Sequence, residues 1–235
     1  MEIVTWFILG TIGMVVGTGM LAYGLTLLPT EKRRPFLLLI GVTGIAAVAY
    51  ALMALDLGAI TSADGATVYI PRYVDWLLTT PMHIAFIALL AGAGRSLTYR
   101  LLGLQALTIV VGFAGAIVGA PLNWLLFAVG GAVFGVVVYY MYSTLDALAD
   151  QRTDATASLF RKLRSFVVVL WLIYPIIWLT GQPGLGMMDT ETAALVTTYI
   201  DVVSKVGFGL IALNDYVNMD FVGTAETVGA AADGD

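Results

Sequence analysis

Residues 192–213 read TAALVTTYIDVVSKVGFGLIAL. The stretch carries two formal charges, Asp201 and Lys205, in an otherwise uncharged run. About 20 largely apolar residues suffice for a helix to cross the hydrocarbon of a bilayer, so this stretch is predicted to span. Asp201 and Lys205 are spaced i,i+4 and share one helix face. An ionisable group inside hydrocarbon costs at least about 2.5–3.5 kcal/mol on insertion scales. A face bearing two of them is expected to turn inward, against other helices.

Six further stretches supply those helices: Ile3 to Leu28, Pro35 to Leu55, Arg72 to Ala93, Leu97 to Val118, Pro121 to Tyr142 and Phe166 to Thr180. The sixth span is short as written, and its start is expected nearer Leu159 with its basic residues at the interface. Only 11% of the 235 residues are charged and 60% are hydrophobic. Soluble domains carry about 25% charged residues, so this chain cannot cover a water-facing surface. The fold class is therefore an all-α membrane protein, a bundle of seven transmembrane helices. A net charge of −5 argues against nucleic acid as a partner, because phosphate binding needs a basic face. The absence of cysteine excludes disulfides and thiolate metal sites. No basic segment precedes the first apolar run, so a cleavable signal peptide is not expected.

Turn-rich or charged segments separate the spans, among them Thr30 to Arg34, Asp146 to Asp154 and Gly181 to Gly186. Between the second and third spans, Asp64-Gly65 followed by Thr67-Val68-Tyr69-Ile70 predicts a small β-hairpin. The seven-helix domain is expected over 1–221, with 222–235 a disordered acidic tail. Nine of the eleven basic residues fall in three loops: Lys32, Arg33 and Arg34; Arg95 and Arg100; Arg152, Arg161, Lys162 and Arg164. Seven spans put these loops on one side. The positive-inside rule makes that side cytoplasmic, with the N-terminus outside and the C-terminus inside a multi-pass cell-membrane protein.

The two remaining basic residues, Arg72 and Lys205, lie in spans with Asp75 and Asp201, and the four charges sum to zero. Arg72 and Asp75, spaced i,i+3, also share a face. The simplest arrangement is a dry quadrupole of the two pairs inside the bundle. On charge alone, an ion cluster that fixes helix register and a transport site remain open. A buried lysine is also a nucleophile able to form a Schiff base with an aldehyde, and the cation then formed needs a carboxylate counter-ion. Trp171, Tyr174 and Trp178 recur on one face of span six, and Trp76 follows Asp75. Such a stripe is ordinary packing in most helices. Beside a central lysine and two aspartates it reads as the wall of a chromophore site.

Three motifs carry a resemblance. Arg72-Tyr73-Val74-Asp75-Trp76-Leu77-Leu78-Thr79-Thr80-Pro81 resembles the third-helix signature of haloarchaeal microbial rhodopsins, Trp171-Leu172-Ile173-Tyr174-Pro175-Ile176-Ile177-Trp178 their sixth helix, and Asp201-Val202-Val203-Ser204-Lys205-Val206-Gly207-Phe208 their seventh. The resemblance covers essentially the whole chain apart from its termini. It implies all-trans retinal bound to Lys205 as a protonated Schiff base, in a photoreceptor protein and not an enzyme. It further implies Asp75 as primary counter-ion and proton acceptor, Asp201 as second counter-ion, and Arg72 as an extracellular-side switch. The retinal contacts implied are Trp76, Thr79, Thr80, His83, Trp171, Tyr174, Trp178 and Ser204.

Pump, channel and sensor share this fold. Asp75 argues against a chloride pump, because its carboxylate would occupy the anion's place. A proton pump of this family holds a second carboxyl eleven residues after the acceptor, and here that position is Phe86. Phenylalanine carries no proton, which favours a slow cycle and a sensor. Phe86, Tyr174 and Tyr199 are similar to sensory rhodopsin II. In that group a hydroxyl just before the lysine bonds the tyrosine of the sixth helix, and Ser204 keeps the hydroxyl where threonine is usual. Middle rhodopsins and low-efficiency outward proton pumps are the alternatives. Tyr199 lies about 200° from Asp201 round the helix and is expected to point outward, where the resemblance implies contact with a two-helix membrane transducer used in phototaxis. Lipid is the other expected partner, and a homo-oligomer is compatible with the fold. His83, the single histidine, lies eight residues after Asp75, within about 80° of the Asp75 direction, and could approach the chromophore.

Overall fold

In the computed structural model, residues 2–218 are described; the acidic tail expected over 222–235 lies outside them. Seven helices are long and apolar enough to cross a membrane: α1 (Ile3–Leu25), α2 (Phe36–Ala54), α3 (Ile70–Ala91), α4 (Arg95–Ile117), α5 (Leu122–Ala149), α6 (Asp154–Thr180) and α7 (Thr190–Asn218). The bundle is apolar on its outer face: Ile8, Ile12, Val15 and Val16 of α1 are exposed. In water that surface would be untenable; in hydrocarbon it is the stable one, because every backbone group is satisfied within its helix. The chain is a multi-pass membrane protein.

The spans agree with the sequence in number and order; α1 stops at Leu25 short of Leu28, α7 runs on to Asn218 past Leu213, and the larger differences are at the ends of α5 and α6. Residues 144–149, expected as loop, form a helical continuation of α5 after a break at Ser143. α6 begins at Asp154, earlier than Leu159, with Thr153 Oγ1 accepting the Thr156 amide. Charged residues end a hydropathy pattern at the membrane surface without ending a helix. Here the extensions are tied together, because the buried Arg164 donates to Asp146 at 2.6 Å and lies 4.0 Å over the Tyr142 ring. α7 starts two residues earlier than expected. Asp189 caps it by accepting the Thr192 hydroxyl (2.6 Å) and amide (2.8 Å), and those bonds hold the Asp189 carboxyl below its ordinary pKa.

The hairpin has strands β1 (Ala59–Thr61) and β2 (Thr67–Tyr69), antiparallel with Ile60 opposite Val68. Ile70, expected in the second strand, is instead the first residue of α3, since Pro71 is pre-set for a helix start. Gly65 takes φ +81° at the turn, and the Ala63 amide donates to Ile117 O, so the hairpin is fastened to the end of α4.

Two features of α1 and α7 position the site. Gly10, Gly17 and Gly24 form a stripe on α1, and a Cβ there would meet Tyr50, Val206 and Leu213 at 2.4, 2.3 and 2.0 Å. Small residues let α1 approach α2 and α7 closely. In α7 the helix widens to a π turn over Val203–Gly207, centred on Lys205. Such bulges re-aim a side chain without breaking a span.

Candidate functional site

α3 and α7 bring the three central charges together. Lys205 Nζ is ion-paired with Asp75 Oδ2 and lies 3.3 Å from Asp201 Oδ1. All three residues are at least 97% buried. The two carboxylates are held differently. Asp201 accepts from Tyr50 (2.6 Å) and Tyr174 (2.6 Å) hydroxyls and from Trp76 Nε1 (3.1 Å), besides lying beside Lys205. Asp75 Oδ1 has no hydrogen-bond partner. Donors to a carboxylate favour its charged form. Three donors therefore favour the charged form of Asp201, whereas Asp75 Oδ1 has no such donor within hydrogen-bond geometry among the described residues.

The expected quadrupole is corrected to a triad. Arg72 starts nearly one turn before Asp75, and its guanidinium packs 5.5 Å from the Phe7 ring centroid and 5.8 Å from that of Tyr69. Its Nε and Nη2 atoms are buried without partners. The cation stands on the N-terminal side of the triad, held by ring faces in place of an ion pair.

Lys205 opens into a cavity of about 260 Å³. Trp76, Tyr174 and Trp171 line it, with Trp178 further along the same face of α6. Trp76 and Tyr174 meet edge to face at 4.9 Å, and Trp178 stacks on Phe127 of α5 at 4.3 Å. Thr80, His83 and Ser204 also reach the cavity. Thr79 does not; its hydroxyl donates to Asp75 O at 2.8 Å, because a threonine in a membrane helix satisfies itself on the preceding turn. The Ser204 side chain lies within hydrogen-bonding reach of the Tyr174 hydroxyl, and both hydroxyls also donate to Asp201, Ser204 to its carbonyl oxygen (3.2 Å) and Tyr174 to its carboxylate. Tyr199 points outward at 65% exposure, as its angle from Asp201 requires.

Two contributors escaped the sequence. Tyr50 sits in α2 among apolar residues, and no spacing links it to Asp201. Gln105 of α4 is buried and donates to Thr80 Oγ1 at 3.1 Å, so it lines the same cavity; a polar residue inside the fourth span was its only signal.

On the far side of the triad the interior is aromatic. Phe86 is 1% exposed and meets Phe36 and Phe208 edge to face at 5.6 and 5.9 Å, and Phe36 meets Tyr216 at 4.9 Å.

Residues 1–219 match the family model described as bacteriorhodopsin-like protein. The chain is 56% identical over 232 residues to sensory rhodopsin-2 of Haloarcula vallismortis, covering 98% of each chain. It is 41% identical over 210 residues to sensory rhodopsin-2 of Natronomonas pharaonis, covering 89% of this chain and 87% of that one. Among solved structures, the thermophilic rhodopsin from Rubrobacter xylanophilus superposes with a TM-score of 0.88 at 34% identity, over 92% of this chain and 96% of the other. A buried lysine between two unequal carboxylates, opening into an aromatic cavity inside seven spans, is thus housed in a chain that belongs to the bacteriorhodopsin-like family.

Proposed function

We propose that this protein is a retinal photoreceptor of the sensory rhodopsin II kind. Lys205 holds all-trans retinal as a protonated Schiff base, and light absorbed by the chromophore drives a slow, signalling photocycle. The fit rests on the cavity. It is walled by Trp76, Trp171, Tyr174 and Trp178, and an amine flanked by two carboxylates lines it. A flat apolar polyene aldehyde matches that shape and chemistry.

When bound, the chromophore supplies light absorption and a change of shape at the Lys205 nitrogen. The protein's own residues do the rest. Asp75 and Asp201 neutralise the positive nitrogen in the dark. After light, Asp75 takes the proton on its unpartnered Oδ1, while Asp201 keeps its charge under Tyr50, Tyr174 and Trp76. Arg72, free of any ion pair with the triad, can swing toward Asp201 once Asp75 is neutral. The basic loops support a cytoplasmic side on the Phe86 side of the triad and an N-terminus outside. Tyr199 offers a ring on the outer surface of α7 to a two-helix membrane transducer.

The observation that carries the sensor reading is the aromatic plug. Phe86 occupies the place from which a pump would return the proton, and Phe36 and Phe208 pack their ring edges against it, with Tyr216 behind Phe36. Return of the proton is therefore slow, and the deprotonated state accumulates long enough to signal. Flash photolysis tests this. The wild-type decay is expected to be slow and to accelerate with added azide, a small weak acid that carries protons through the plug. Phe86→Asp is expected to accelerate it without azide. Fast, azide-insensitive decay with strong outward proton transport in wild type would make the protein a pump.

A further inference from the structure

Among the described residues that line the cavity, four are also exposed at the surface: Thr67, Gln182, Thr190 and Gly131. The first three are polar and belong to one end of the bundle: the hairpin, the loop after α6 and the first turn of α7. They mark a mouth toward water, and Arg72 lines the cavity as well. Gly131 lies elsewhere. It is nine residues into α5 from Leu122, about 13 Å along the helix. That is near the middle of a hydrocarbon layer about 30 Å thick. The cavity therefore has a second mouth, and this one faces lipid tails.

The side chains around Gly131 give this mouth a frame. Phe127, Gly131 and Phe134 are spaced i, i+4 and i+7 and share one face of α5. Phe127 stacks on Trp178 with ring centroids 4.3 Å apart, and Phe134 meets Trp171 at 6.3 Å. The two bridges join α5 to α6 seven residues apart on each helix, about 10 Å along the axis. Between them α5 offers Gly131, which has no side chain. α6 offers Pro175, four residues after Trp171 on the same face and also lining the cavity. A Cβ at Gly131 would meet nothing within 4 Å. A glycine in mid-helix is destabilising relative to alanine, and no described neighbour needs the space this one leaves.

We infer that the slot between the Phe127–Trp178 and Phe134–Trp171 bridges is the entrance by which retinal passes from the bilayer into the cavity, with Gly131 keeping it open. This rests on the photoreceptor reading above and adds the route by which the ligand arrives. Retinal is an apolar polyene aldehyde, so it dissolves in lipid tails in preference to water. A flat chain suits a slot framed by flat rings, whereas the water-facing mouth is polar and bears the Arg72 cation. Inside, the aldehyde and the Lys205 ammonium give the protonated imine and one water. The C=N bond forms, the C=O bond breaks, and the water has the polar mouth to leave by.

The test follows colour formation when all-trans retinal in lipid vesicles is added to the full-length apoprotein in lipid. Gly131→Leu and Gly131→Ala add side chains on the face of Phe127 and Phe134, where there is room for them. Gly131→Leu is expected to slow colour formation ~10-fold or more, because the passing ligand must displace a side chain that fills the slot. Gly131→Ala is expected to slow it less. An entrance acts in both directions, so exit of the retinal oxime, formed by hydroxylamine in the light, is expected to slow by the same factor. A merely distorted cavity would release the oxime faster. Thr67→Trp and Thr190→Trp narrow the water-facing mouth and are expected to take up retinal at the wild-type rate. Wild-type uptake by Gly131→Leu, oxime release from it faster than wild type, or slowed uptake by Thr67→Trp or Thr190→Trp overturns the proposal. Where the leucine protein does not fold, Gly131→Ala carries the test, and uptake by it at the wild-type rate overturns the proposal. A wild-type protein that forms no visible band with retinal would instead refute the photoreceptor reading, and is distinguished by that absence of colour.

Discussion

Tyr50 donates its hydroxyl to Asp201 Oδ2 at 2.6 Å across 151 residues of sequence. With Tyr174 on Oδ1 and Trp76 beside it, this bond fixes which carboxylate stays charged. Tyr50→Phe removes one donor from a buried anion, a loss of about 1.5–3 kcal/mol for a hydrogen bond to a charged group. The expected outcome is a retinal-bound protein that bleaches at lower temperature and whose Asp201 begins to share the proton after light. Infrared difference spectra of the carboxyl stretch in Tyr50→Phe and Asp201→Asn check it; a single protonated Asp75 band unaltered in Tyr50→Phe would remove Tyr50 from the site.

Gly10 gives Tyr50 its room. A Cβ at Gly10 would lie 2.4 Å from Tyr50 Cδ1. Gly10→Val is therefore expected to push the ring off Asp201 and to cost about 1–3 kcal/mol by overpacking. Its absorption maximum is expected to shift in the same direction as that of Tyr50→Phe, although Gly10 touches no charged group. A Gly10→Val protein with wild-type colour and thermal stability would show that α1 yields instead.

The dark colour is expected to depend on pH through Asp75. Its negative charge beside Lys205 holds the positive charge at the nitrogen in the dark, and excitation draws that charge away along the polyene. Protonating Asp75 removes the restraint and lowers the excitation energy. Falling pH is thus expected to shift absorption to the red, and Asp75→Asn to show that red-shifted band already at neutral pH with no further acid transition. An Asp75→Asn spectrum identical to wild type would pass the counter-ion role to Asp201.

Tyr199 is expected to act only at the surface. Tyr199→Ala leaves the site untouched, since the ring points away from Asp201 at 65% exposure. The expected result with a cognate two-helix transducer is weaker co-purification and an unchanged absorption band. Undiminished binding would leave Tyr199 a lipid-facing residue.

Much of this was legible in the sequence because the bilayer is a strict solvent. Charges are so costly in hydrocarbon that Asp75, Asp201 and Lys205 announced themselves, and the spans followed from length and polarity. What escaped obeys other rules. The helical continuations at 144–149 and 154–158 lie beyond the hydrocarbon, where charge no longer marks a boundary. Tyr50 reaches Asp201 through a contact between distant spans that no i,i+4 pattern encodes. Arg72 was grouped with the acids by charge balance, yet ring faces at Phe7 and Tyr69 compete for its guanidinium. Thr79 was counted with the chromophore contacts; its hydroxyl donates to the Asp75 carbonyl and its side chain also acts on the Asp75 carboxyl.

The central claim is that Lys205 is the attachment point, and the most direct measurement is the visible spectrum of purified wild-type and Lys205→Ala proteins, each expressed with added retinal. Wild type is expected to be coloured, to lose its band with hydroxylamine in the light, and to keep it in the dark. Lys205→Ala is expected to purify folded and colourless. A retinal band of normal intensity in Lys205→Ala would contradict the account, because Lys205 is the single amine placed between Asp75 and Asp201 among the described residues.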